Sequence, residues 1–78
     1  MEVGHIFKIG DIEYCICDIK KIDNREFAYA ISGEAETTKI TFFELVYNDK
    51  GVLIEKVKDN EIIAYLFNIF SDNIESLN

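Results

Sequence analysis

The sequence predicts an α+β fold: an antiparallel five-stranded β-meander with one C-terminal α-helix packed on a face of the sheet. Three observations lead there. Apolar residues alternate with polar or small ones at period two through the first three quarters of the chain. Turn-forming clusters break that alternation at short intervals, at Gly10-Asp11, Asp23-Asn24 and Asn48-Asp49-Lys50-Gly51. After Asp59 the apolar spacing becomes helical.

The elements follow in order. "HIFKI" (5–9) is a short strand closed by Gly10-Asp11. "IEYCICDI" (12–19) places Ile12, Tyr14 and Ile16 on one face and Glu13, Cys15 and Cys17 on the other. "KKIDNR" (20–25) supplies the turn to a third strand, "EFAYAIS" (26–32), whose Phe27, Tyr29 and Ile31 share a face. Ala28 and Ala30 keep its other face low enough for close packing. "GEAE" (33–36) is a polar connection, and "TTKITFFELVY" (37–47) is rich in the β-branched and aromatic residues that favour strands. Gly51 suits a type I turn with a bulge, and "VLIEKVK" (52–58) returns as the fifth strand. Asp59 is the expected N-cap of a helix whose stripe is Ile62, Ile63, Leu66, Ile69 and Phe70, ending near Ser71. One helix covers part of one sheet face, so the opposite face is expected to be mainly polar or paired with something.

A chain of 78 residues, 49% of them apolar, is read as one domain over 1–70 with a frayed tail over 71–78. Domains this short bury only roughly 60–65% of the surface that the unfolded chain exposes, so a homodimer is one expected way to add burial. The net charge is −7. Residues 1–58 carry 11 acids against eight bases, whereas 59–78 carry four acids and no Lys or Arg. With no basic cluster larger than Lys20-Lys21 and nearby Arg25, direct nucleic-acid binding is not expected. Neither a secretory leader pattern nor a run of about 18 apolar residues is present, so the expected location is cytoplasmic, away from membranes.

Residues that could carry chemistry are few. Cys15 and Cys17, extended on one strand, would have Cα atoms roughly 6.6–7 Å apart, at the limit of disulfide reach. Only His5 is available to join them at a metal, so both are read as small core residues, with no metal and no cofactor. His5 lacks the surroundings of a catalytic base, and a Glu13–Glu44 pair would be acids on a solvated sheet face. No glycine cluster precedes the helix as a phosphate cradle. The chain is therefore read as non-enzymatic.

The helix is the anomaly. At roughly 100° per residue, the apolar positions from Tyr65 round to Phe67 span an arc of about 200°, about twice the width of a one-sided stripe. Only Glu61, Ala64 and Asn68 belong clearly to solvent. The expected interface residues are accordingly Glu61, Tyr65, Phe67, Asn68 and Asp72, with acids rimming the patch and selecting against acidic partners.

The segment "GDIEYCICDI", with Gly51, Leu53, Val57, Asp59, Glu61 and the helix ending "LFNIF", resembles a group of small acidic Firmicutes proteins known as domain of unknown function 1292. The likeness spans residues 10–70. It implies the same order of elements and transfers no site residue, and the proline common in that family before the helix is missing here. The function expected from these readings is a small bacterial or phage adaptor or regulator that binds a protein partner through the C-terminal helix and its acidic surroundings. The alternative is a phage-encoded acidic inhibitor that mimics nucleic-acid phosphates to block a host nucleic-acid-binding protein.

Overall fold

The computed structural model describes residues 1–33 and 39–71. Five strands, β1 (Ile6–Ile9), β2 (Ile12–Ile22), β3 (Arg25–Ser32), β4 (Lys39–Asn48) and β5 (Gly51–Lys56), form one antiparallel sheet in chain order, followed by helix α1 (Asn60–Ile69). This is the α+β meander expected from the alternation. Residues 34–38, in the β3–β4 connection, and the tail 72–78 lie outside the described residues.

Tight loops set the register. Ile9 faces Ile12 across Gly10-Asp11, and Gly10 sits at φ 61°, a left-handed conformation that a side chain resists. The turn read over residues 20–25 is much shorter: Ile22 pairs with Arg25, and Asp23 and Asn24 alone make the reversal at φ 49° and 66°. Positive φ at both central residues marks a type I′ turn, which matches strand twist and which Asp and Asn tolerate better than other non-glycine residues. At the last hairpin Asn48 pairs with Gly51, whose φ is 132°, and the Asn48 side chain accepts a 2.8 Å bond from the Lys50 amide.

The sheet face away from the helix corrects one expectation. Its described residues are mainly apolar and pack on one another. Tyr14, Ile16, Ala28, Ala30, Phe43 and Leu45 form a buried cluster there, joined at the margin by Met1, Phe7, Ile19 and Ile54. The sheet curls, so residues from its two ends, Met1 and Phe7 at one and Ile54 at the other, reach the same cluster. The alanines make this possible. Ala28 lies opposite Phe43 and Ala30 opposite Ile16, and the space above them is taken by rings. Phe7, Tyr14 and Phe43 are mutually in contact at centroid separations of 5.1–5.4 Å, two of the three pairs edge to face. Ile12, assigned by alternation to this apolar face, is instead 51% exposed, because it flanks the β1–β2 turn.

The other face carries the helix. Phe27, Tyr29 and Phe42 meet Leu66 and Phe70 in a second buried cluster. The Phe70 ring lies 5.1 Å from Tyr29 and 6.1 Å from Phe42. Asp59 caps the helix as expected, its Oδ1 accepting from the amides of Glu61 at 2.8 Å and Ile62 at 3.4 Å. The last turn of α1 has no basic residue of its own. Lys20 on β2 supplies the cation: its ammonium donates to the Ile69 carbonyl at 3.1 Å and stands 5.5 Å from the Phe70 ring centre. No helix among the described residues is long and apolar enough to cross a membrane.

Candidate protein-binding groove

Helix α1 has two unlike flanks. Leu66 and Phe70 point into the sheet and are fully buried, while Glu61, Ala64 and Asn68 are exposed on the outward side. Helical geometry sends Tyr65 to the flank of Ile69, where Lys20 ties the helix end to β2. Phe67 falls on the opposite flank with Ile63, over the β4–β5 side of the sheet. Tyr65 remains 53% exposed and Phe67 49%. The structure thus keeps Tyr65 and Phe67 on the opposite flanks that the helical arc gives them, and it leaves Asp72 outside the described residues.

On the Phe67 side the helix does not close against the sheet. A groove of about 340 Å³ runs there, with Ile63 and Phe67 as one wall and Ile40, Phe42 and Val57 as the floor and other wall. Thr41 and Lys56 complete its lining. Backbone geometry fixes the far side, since the Val57 amide donates to the Phe42 carbonyl at 2.9 Å just beyond the end of β5. This bond carries the chain out of the sheet toward Asp59 and holds Val57 under Phe67. The sheet residues of this groove escaped sequence reasoning, which located the helix flank but not what lay opposite. The signal available was the alternation in β4, which puts Ile40 and Phe42 on the helix side.

The other candidate groups have structural tasks. Glu13 and Glu44 do not pair, because β3 lies between their strands: Glu13 faces Lys8, and Glu44 faces Phe27 and Glu55. Glu44 instead receives two bonds from the Arg25 guanidinium, at 2.8 and 2.9 Å. That hydrogen bonding, and secondarily the guanidinium charge, holds the Glu44 carboxyl below the usual range even though burial opposes it. The Arg25 guanidinium also lies over the Phe27 ring at 5.0 Å, joining the ion pair to the helix-side cluster.

The cysteines are free and half-buried. β2 bulges between Ile16 and Asp18, and Cys17 at that bulge packs against the helix-side cluster near Tyr29. Burial first, then the neighbouring Cys15, pushes the Cys17 thiol above its ordinary pKa. A raised pKa keeps the thiol protonated at neutral pH and a poor nucleophile. Burial likewise raises the Tyr47 hydroxyl, which donates at 3.0 Å to Glu26. Among the described residues, no three His, Cys, Asp or Glu side chains are grouped to hold a metal ion.

Comparison with protein-family models, with characterised proteins and with solved structures gives no match to this chain. The groove therefore has to be interpreted from its own chemistry.

Proposed function

We propose that this chain is a small cytoplasmic, non-enzymatic adaptor or regulator of bacterial or phage origin that binds a protein partner through helix α1. The observation that carries the reading is Phe67, a large aromatic side chain half exposed above an apolar floor of Ile40, Phe42 and Val57. A half-exposed ring beside a ready-made apolar groove is the arrangement in which contact residues supply most of an interface's energy, because a partner side chain completes burial the protein has already begun. Tyr65 on the opposite flank and Glu61 and Asn68 on the outward side extend the surface available to a partner. The side chains that serve as nucleophile or base elsewhere favour this reading too: Glu44 is engaged by Arg25, and Cys17 is held as a thiol. The phosphate-mimic alternative has less support, since Glu61 is the sole acid on the outward side of α1 among the described residues.

The test is affinity capture with the wild type beside Tyr65→Ala and Phe67→Ala, each checked for native circular dichroism. Loss of partner with Phe67→Ala is the expected result. Retention of every partner by both variants overturns the proposal.

A further inference from the structure

The charge of the groove differs from that of the molecule. The chain as a whole is net −7, yet the charged side chain lining the groove is a cation, Lys56. It is exposed, and the ion pair formed among the described residues, Arg25 with Glu44, does not involve it. The acids nearest in sequence, Glu55 and Asp59, line a separate depression on the Arg25 side together with Lys58. Lys56 and Val57 stand between the two depressions and belong to both.

From this we infer that the groove receives a short segment of another protein, one that presents large apolar side chains beside a carboxylate. The inference rests on the protein-binding reading above and adds the chemistry of the partner. Size points to a short segment: about 340 Å³ is near the lower end of the roughly 300–1,000 Å³ typical of ligand pockets, enough for a pair of apolar side chains. Among the described residues, the polar side chains that line the groove beside Ile63, Phe67, Ile40, Phe42 and Val57 are those of Thr41 and Lys56. An apolar side chain that fills the floor brings its neighbours to Lys56, where a carboxylate meets an ammonium that forms no ion pair among the described residues. A lysine or arginine at that place would meet like charge in partly desolvated surroundings. The overall negative charge does not reverse this preference at contact. Exposed charges farther from the groove than the Debye length, about 8 Å at physiological salt, are largely screened there, whereas Lys56 acts on the segment directly. Overall charge therefore affects the approach of a partner, and Lys56 selects the residue that lands beside the groove.

The experiment is selection of a phage-displayed library of random dodecapeptides on the full folded chain, with Phe67→Ala as the counter-selected control. Binding of the recovered peptides is then measured by fluorescence anisotropy to wild type, Phe67→Ala and Lys56→Glu. Both positions are exposed, so neither substitution removes core packing. Peptides combining Leu, Ile, Phe or Trp with Asp or Glu are expected, binding at least tenfold more weakly to each variant, and Lys56→Glu should prefer their lysine-substituted forms. Phe67-dependent peptides that are neutral or basic, or indifferent to Lys56→Glu, overturn the charge assignment and leave the protein-binding reading standing. The absence of any Phe67-dependent peptide overturns both. Sedimentation showing a wild-type dimer that Phe67→Ala disperses assigns the groove to a second copy. Peptide binding that appears only after removal of residues 72–78 assigns it to the chain's own tail. Either of those results also overturns the inference.

Discussion

The two faces of this sheet are buried by different means, and the difference locates the apolar groove beside Phe67. On the face away from the helix, the sheet curls on itself, and Phe7, Tyr14 and Phe43 close over the alanines of β3. On the other face, closure depends on a helix of ten residues laid across Phe27, Tyr29 and Phe42. A curled sheet adapts its edges to its contents. A straight helix covers a strip, and what lies beyond the strip stays open unless something else fills it. Lys20 and the Ile69 carbonyl secure one side of that strip, and the Phe67 groove marks the other. The self-closed face thus supplies the stable platform, while the helix face carries an unfilled apolar margin.

The comparison is broken most forcefully by emptying the self-closed face. Phe43→Ala, at a fully buried ring that holds both Phe7 and Tyr14, should cost about 3–5 kcal/mol of unfolding free energy by urea denaturation. Since a chain of this size has roughly 4–12 kcal/mol in total, that loss takes from about a quarter to all of it. A loss below about 1 kcal/mol would mean that the face is not the platform described.

Leu66→Ala sharpens the contrast from the helix side. It removes a fully buried side chain and should cost about 2–5 kcal/mol, but with a different pattern. By amide hydrogen exchange the α1 amides should lose protection first while those of β2, β3 and β4 persist, because the inner cluster does not use the helix. Simultaneous loss across strands and helix would show that the two faces fold as one unit.

Smaller effects probe the fixings of the helix. Asp59→Ala deletes the N-cap and should cost about 1 kcal/mol, with Asp59→Asn close to wild type, as read by thermal unfolding. The Arg25–Glu44 pair gives a pH dependence whose sign follows from the lowered Glu44 pKa. Because the folded value lies below the unfolded one, the pair's contribution is complete above the ordinary glutamate range and is lost as pH falls through the folded value. Glu44→Gln should therefore lower stability slightly at neutral pH, leave it unchanged below the folded value, and so flatten the acid limb of the stability profile. An unaltered acid limb would remove Glu44 from the account.

Much of the fold was legible because the chain is locally consistent: alternation, turn residues and the Asp59 cap all point to one meander. The Asp23-Asn24 turn was legible but its extent was not, because Lys20, Lys21 and Ile22 look like loop composition, whereas Lys20 and Ile22 in fact serve the helix side of β2. The curl was not legible, since alternation reports which residues share a face but not whether that face bends to meet itself. For the candidate site, the breadth of the helical stripe located Tyr65 and Phe67. It placed them on opposite flanks but could not reveal that Ile40, Val57 and Lys56 stand opposite Phe67, because those contacts link segments distant in sequence.

The central claim is that Phe67 is kept half exposed for contact and contributes little to folding. Its most direct test is a paired measurement on Phe67→Ala and Phe70→Ala, combining urea denaturation with capture of the wild-type partner. Phe67→Ala should stay within about 1 kcal/mol of wild-type stability and lose the partner, while Phe70→Ala should lose about 3–5 kcal/mol. A Phe67→Ala variant as destabilised as Phe70→Ala, or one that is stable and still binds every partner, would contradict the claim.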